Sequence, residues 1–439
     1  MKPFLIKNKF TPRGKIIITG DKSIAHRALI LSALSSGKTI LKNFPIHDDS
    51  LATLGVLKAL GIKIVRKDKQ VLVFGKGRCG LIKSQKPIFV GDSGTTLRLF
   101  LGVLAGQNFK TKVTAGKYLS IRPMARVNIP LRLMGAQITS KIRNNDEYAP
   151  IVISGGNLKG IIYRPLVISA QVKSAILLAG LFAKGNTRIV EKIATRDHTE
   201  RMLRVFGADI VIKNKIIGLN PDKNLVSPRE IYIPGDISSA AFFIVLALII
   251  SGAKVIIERV GLNSTRSGII RILKRMGARI KIIYLRNNKS QSFEPMGKLT
   301  VSSSKLKGAI VYPCEIPSLI DELPILMVAA CFAQGKTIIK GAQELRVKET
   351  DRINSMVRNL KSMGADIQVK KTNALESIII KGKGRLSGAN LKSFGDHRTA
   401  MSMVVAALAA KGESKIDDIS CISKSFPGFL TVLNGLSKS

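Results

Sequence analysis

The chain has no tryptophan, only four cysteines and four histidines, and aromatic residues make up just 5% of its 439 positions. Cys79, Cys314, Cys331 and Cys421 are far apart and form no Cys-x-x-Cys pair, so neither a zinc knuckle nor a disulfide framework is expected. His26, His47, His198 and His397 are equally dispersed, and no metal site is expected. The longest apolar run, 240–250, is too short to cross a bilayer and suits a buried helix. The first ten residues contain no apolar export segment, so a reduced, cytoplasmic setting is expected.

Acidic residues are also scarce: 28 Asp and Glu face 71 Lys and Arg, a formal net charge of +43. Such a surplus invites a nucleic-acid reading. The cations, however, are spread along the whole chain, and no basic segment is interleaved with stacking rings. Attraction of small anionic substrates accounts for the charge equally well. No nucleic-acid partner and no membrane partner are expected.

What is abundant is internal repetition. An apolar helix, a glycine and a short β-like run recur at 29–41, 99–113, 176–190, 244–257, 325–339 and 404–416. Gly37, Gly106, Gly185, Gly252, Gly335 and Gly412 are read there as C′ residues with positive φ. Between the copies lies a second pattern, a helix ending in a Met-Gly-like turn, at Gly61, Gly135, Gly207, Gly277 and Gly364. A sixth site near Gly435 is cut short by the chain end. The period of about 70 to 85 residues is long enough for a compact α/β subdomain. The pattern implies two similar halves: 21–237, and 238–439 joined by residues 1–20. A site for small molecules is expected in the cleft between them.

Polar clusters mark the strand-to-helix junctions. The organising stretch is Glu344-Leu-Arg-Val-Lys-Glu-Thr-Asp-Arg352. A helix pattern follows it at Ile353, Met356, Val357, Leu360 and Met363, with Asp351 as N-cap. A charged run of this kind also suits a solvated loop. Matching clusters elsewhere argue for an anion site at helix starts. They are Gly20-Asp-Lys-Ser-Ile-Ala-His-Arg27, Gly91-Asp-Ser-Gly-Thr-Thr-Leu-Arg98 and Arg122-Pro-Met-Ala-Arg126, where Pro123 fits N1. Further along come Ser169-Ala-Gln-Val-Lys173, Thr195-Arg-Asp-His-Thr199, Asp321 ahead of Pro324, Gly395-Asp-His-Arg398 and Ser423-Lys-Ser-Phe-Pro427. Arginine grips carboxylates and phosphates bidentately. Many cations with a few carboxylates therefore point to a transferase or lyase acting on phosphorylated carboxylic acids.

Taken in this order, the junctions resemble the 5-enolpyruvylshikimate-3-phosphate synthase family, in its class II form, over nearly the whole chain. The most specific stretches are Asp21-Lys-Ser-Ile-Ala-His-Arg27, Ser169-Ala-Gln-Val-Lys-Ser174, Thr195-Arg-Asp-His-Thr-Glu200, Leu345-Arg-Val-Lys-Glu-Thr-Asp-Arg352 and Asp396-His-Arg398. The resemblance implies a two-domain α/β fold of six βαβαββ repeats, three per domain, around pseudo-threefold axes. It implies transfer of the enolpyruvyl group of phosphoenolpyruvate to the 5-hydroxyl of shikimate 3-phosphate, with no cofactor and in a monomer.

By motif position, the resemblance assigns shikimate 3-phosphate to Lys22, Ser23, Arg27, Ser169, Ala170, Gln171, Arg196, Asp321 and Lys348. Phosphoenolpyruvate falls to Lys22, Gly94, Arg122, Gln171, Arg352, Arg398 and Lys424. Asp321, Glu349 and Lys22 are the implied catalytic groups. Two details qualify the match. Asp92 stands where the family usually has Asn, which puts a negative charge beside an anion site. Gly94 stands where many class II members have Ala, which implies sensitivity to glyphosate. The sister enolpyruvyltransferase acting on UDP-N-acetylglucosamine fits less well, because its loop cysteine has no counterpart in 112–124.

Overall fold

The computed structural model describes residues 3–7, 10–285, 294–372 and 375–436. They divide into two compact units, one of residues 20–233 and one of the residues before Gly20 and from Pro234 onward. The change of unit thus falls at Pro234, four positions before the expected 238. Glu294 groups with the first unit.

The first unit holds three four-stranded sheets. In one, Ile88–Phe89 runs parallel to Lys110–Thr114, which pairs antiparallel with Asp146–Ser154, and Gln137–Arg143 closes the edge. Helices Gly94–Ala105 and Ala125–Leu133 make the connections. The order β-α-β-α-β-β repeats in Ile162–Tyr163, Thr187–Val190, Asp209–Lys213 and Ile216–Asn220, with helices Ala170–Gly180 and His198–Val205. The third repeat takes its first strand, Glu230–Tyr232, from the far end of the unit, where it lies parallel to Ser36–Lys42. The rest of that repeat is helix Lys22–Leu34, helix Asp48–Ala59 and strands Ile64–Lys67 and Gln70–Lys76.

The second unit repeats the plan. One sheet is Ile310–Val311, Gln334–Lys340, Leu375–Lys383 and Asp366–Thr372, with helices Leu323–Phe332 and Arg352–Ser362. Another borrows Arg13–Ile17 as its first strand, parallel to Lys254–Gly261. The repeat truncated in sequence is completed by the N-terminal strand Phe4–Ile6, antiparallel to Ser414–Ile416.

Each unit has its own apolar core. Helix Ile237–Ile249 is apolar all round and buried along nearly its whole length, as that composition demands. It packs on Leu323–Phe332 and His397–Ala409, so the leading helices of the three repeats share one core. In the first unit Gly102 lets helix Gly94–Ala105 lie against Ala170–Gly180, since a Cβ there would come within 2.2 Å of the Ala175 carbonyl oxygen.

Two local readings are corrected. The true C′ glycines are those of the second pattern: Gly61 follows C-cap Leu60 with φ of 82°, and its amide and that of Ile62 reach the Lys58 and Leu57 carbonyls. Five glycines of the first pattern lie further past their helices and keep the expected positive φ, whereas Gly106 is itself the C-cap with φ of −88°. Gly106 is small because the Phe182 ring sits where its Cβ would be. Pro123 is not at N1 either, because its helix begins at Ala125.

Candidate active site

Side-chain caps set the helix starts that carry the expected ligands. Asp21 accepts from the Ile24 amide at 3.0 Å, so Lys22 is the first residue of its helix. Ser93 caps the helix that begins at Gly94, Ser169 the one that begins at Ala170, and Asp351 the one that begins at Arg352. Asp396 accepts from the amides of Arg398 and Thr399 at 2.8 and 3.0 Å. The same residues that stop each helix from fraying therefore aim the neighbouring cations.

In the first unit the Lys22 ammonium meets Asp49 at 2.8 Å. Burial would raise the Asp49 carboxyl, but Lys22 and His26 together bring it below its usual range. Arg27 is buried and donates to Thr199 Oγ1 at 2.6 Å, Ser174 Oγ at 2.7 Å and the Ser23 carbonyl at 2.8 Å. Burial, with Arg196 adding to it, lowers its pKa to about 10, so it stays charged at neutral pH. Arg196 is half-buried in the stretch leading to helix His198–Val205.

A second group gathers around Gly94. Gln171 accepts from Arg98 at 2.7 Å and donates to Thr95 Oγ1 at 2.9 Å. A Cβ on Gly94 would lie 3.1 Å from Nη1 of both Arg98 and Arg122. Gly94, Arg122 and Gln171 are thus brought to one place, with Arg98 between them. Asp92 turns away from that group. Its Oδ1 accepts from the backbone amides of Tyr118 and Leu119, both at 2.9 Å, so its charge is spent on a loop.

In the second unit Arg352, with a side chain only 2% exposed, is the hub. Its Nε donates to Asp396 at 2.9 Å, Nη2 to Glu349 at 2.6 Å and Nη1 to Asp321 at 3.4 Å. Burial opposes its charge, but Asp396, Glu349 and Asp321 raise its pKa above the ordinary value. Arg398 donates from Nη1 to the Asp321 carbonyl at 3.0 Å, and its Nε lies 3.8 Å from the Asp321 carboxylate. Lys348 is half-buried. Desolvation lowers its pKa, while Asp321 and Glu344 oppose that shift. Lys424 ends a separate 3-10 turn, Ser420–Lys424, packed on the helix that carries Arg398.

Sequence reasoning did not single out Asp49, Arg98 or Asp396. Asp396 and Arg98 stand inside quoted motifs, and each lies one turn or less from a chosen residue. Asp49 had a weaker signal, an acidic pair in a helix first turn. Among the described residues one set of His and acidic side chains is close enough to share an ion: Asp197, His198 and Glu294. Its groups are engaged with protein partners, Asp197 with Arg201 at 2.8 Å and Glu294 with His198 at 2.7 Å.

A carboxylate flanked by two guanidiniums beside a second carboxylate suits proton traffic on anionic substrates. The family model for EPSP synthase, described as 3-phosphoshikimate 1-carboxyvinyltransferase, matches residues 8–433. The chain belongs to the EPSP synthase family. With that membership goes the activity, carboxyvinyl transfer to 3-phosphoshikimate in the shikimate pathway. The 3-phosphoshikimate 1-carboxyvinyltransferase of Syntrophomonas wolfei is 47% identical, with 97% of each chain covered. That of Geotalea uraniireducens is 45% identical, with 99% of each covered. A solved EPSP synthase from Acinetobacter baumannii superposes with a TM-score of 0.87 at 41% identity, covering 100% of this chain and 98% of that one. The six repeats, three per unit, five with four-stranded sheets and one with three strands among the described residues, are this family's fold.

Proposed function

We propose that the donor is phosphoenolpyruvate, that the acceptor is the 5-hydroxyl of shikimate 3-phosphate, and that the two side-chain groups serve one reaction. The observation that carries this reading is Arg352, buried and joined to Asp321, Glu349 and Asp396. Arg27, Arg196, Ser23, Ser169, Ala170, Gln171, Lys22 and Lys348 hold the acceptor with Asp321. Arg122, Arg352, Arg398, Lys424, Lys22 and Gln171 hold the donor, with Gly94 leaving it room.

Asp321 removes the proton of the 5-hydroxyl as its oxygen attacks C2 of phosphoenolpyruvate. The methylene carbon takes a proton from Glu349 or Lys22, giving a tetrahedral ketal. A methyl proton then returns to one member of the Glu349–Lys22 pair while the other protonates the bridging oxygen, so that phosphate leaves C2 and the enol ether of the product forms. Each bond change at C2 is coupled to a proton transfer between groups that the protein holds in place, and no cofactor is required. Exclusion of water from the ketal favours collapse to product. The protein works as a cytoplasmic monomer.

The deciding assay is phosphate release from purified protein. Release that needs both substrates together is expected; release with UDP-N-acetylglucosamine as acceptor instead overturns the reading. Arg122→Ala removes a bidentate anion partner and should raise the KM for phosphoenolpyruvate by about 10- to 100-fold. An unchanged KM removes Arg122 from the donor site.

Gly94→Ala puts a methyl group 3.1 Å from two guanidinium nitrogens, which must shift by a few tenths of an ångström. The parent enzyme should be inhibited by glyphosate and the variant should tolerate it, with some rise in the KM for phosphoenolpyruvate. Equal inhibition curves for the two proteins refute this role for Gly94.

A further inference from the structure

Glu322 follows the proposed base and is 1% exposed, yet it is absent from the chemistry described so far. It occupies the N-cap position of helix Leu323–Phe332, as Asp236 and Asp396 do for the equivalent helices Ile237–Ile249 and His397–Ala409. Asp236 and Asp396 accept amides of their own helices, whereas Glu322 makes no cap bond. Its carboxylate reaches sideways. Oε1 accepts from Arg266 Nη1 at 2.8 Å and from the Ser238 hydroxyl, and Arg398 Nη1 stands 3.9 Å away. Arg266 is itself buried, is hydrogen-bonded to Ser238 and lies 3.4 Å from Asp236. One carboxylate therefore ties the first turns of three helices together.

A buried carboxylate carries a desolvation cost, which apolar packing would avoid. What this one secures is local: the turn Ile320–Glu322, and Arg398 Nη1, the nitrogen that also donates to the Asp321 carbonyl. Arg398 Nη1 donates to the Asp321 carbonyl while lying near Glu322, so Glu322 and the Asp321 backbone fix that guanidinium between them.

We propose that Glu322 is a positioning residue: held by Arg266 and Ser238, it sets the Ile320–Glu322 turn and Arg398 so that the Asp321 carboxylate is presented to the substrate hydroxyl. The inference rests on the reading of Asp321 as the base. The charged groups around Asp321 are Arg352, Glu349 and Lys348 from the segment 348–352, Arg398 and Asp396 from the helix start at 396–398, and Glu322 from its own turn. Behind Glu322 stand Arg266 and Asp236. Removing the Glu322 charge leaves this set more positive and favours an ionised Asp321. The acid limb of kcat/KM then moves to lower pH.

The test is Glu322→Gln in the two-substrate phosphate-release assay, run beside the parent and Asp321→Ala. A parent without activity, or a fully active Asp321→Ala, overturns the reading of the base before Glu322 is considered, and the inference goes with it. With that reading intact, the inference expects a folded Glu322→Gln whose kcat falls by about 10- to 100-fold from misplacement of the base. The KM for shikimate 3-phosphate should stay within about threefold, because the acceptor contacts other than Asp321 remain, whereas that for phosphoenolpyruvate rises with the displacement of Arg398. The acid limb should move to lower pH, the direction that loss of a nearby negative charge dictates. Parental kcat with an unmoved acid limb overturns the inference, as does a lower melting temperature with both kinetic readouts unchanged. Should Glu322→Gln fail to fold, Ser238→Ala decides. It removes one hydroxyl from the Glu322 carboxylate and touches no substrate. A kcat several-fold lower at constant KM for shikimate 3-phosphate supports the inference, and parental kcat overturns it.

Discussion

Asp321→Ala should cost about 10²- to 10⁴-fold in turnover while shikimate 3-phosphate still binds, since a positioned general base contributes on that scale. The expectation comes from geometry. Two guanidiniums, Arg352 at 3.4 Å and Arg398 at 3.8 Å, face the Asp321 carboxylate and favour its ionised form. In the proposed reading most of the acceptor's contacts come from residues other than Asp321, Arg27 and Arg196 among them. Equilibrium binding of shikimate 3-phosphate by calorimetry should therefore change little. Turnover within threefold of the parent would transfer the base role to another group, Glu349 being the next candidate because its carboxylate shares Arg352.

Lys173→Met should be the most destabilising single change near the proposed acceptor site, by about 3–5 kcal/mol, the usual loss when one member of a buried ion pair is removed. Lys173 is 1% exposed and lies 2.6 Å from Glu200 and 3.1 Å from Glu191. Glu191 in turn accepts from the Thr195 amide and hydroxyl, so the same network holds the loop that carries Arg196. Burial pushes the Glu200 carboxyl up, and Lys173 is its main counterweight. In the variant that carboxyl is raised further in the folded state. Its protonated form then supports folding at low pH, and that support is lost as pH rises through the folded-state pKa. Urea unfolding should thus show a larger deficit at pH 8 than at pH 5. Equal midpoints for variant and parent at both pH values would show that the pair contributes nothing to stability.

The repeats were legible because they are written in local chemistry. Apolar periodicity, Met-Gly turns and the N-cap residue Asp351 act within a few positions of one another, and they recur in the structure. Misreadings arose where packing overrode that grammar. Gly106 looked like a turn glycine, but it is small to accommodate the Phe182 ring, which lies far from it in sequence. Asp92 looked like an extra charge at an anion site, yet its oxygen is taken up by two amides of another loop.

The sequence by itself determined the six-fold repetition and most of the helix starts with the cations placed on them, because caps and periodicity need only neighbours in the chain. The tertiary structure alone decided which of those charges answer one another. Arg27 meets Thr199 across 172 residues and Arg352 meets Asp396 across 44. Two borrowed strands, Glu230–Tyr232 and Arg13–Ile17, complete repeats that begin elsewhere in the chain. Such pairings depend on sheet registry and on burial of charge, and neither is set by any short stretch of sequence.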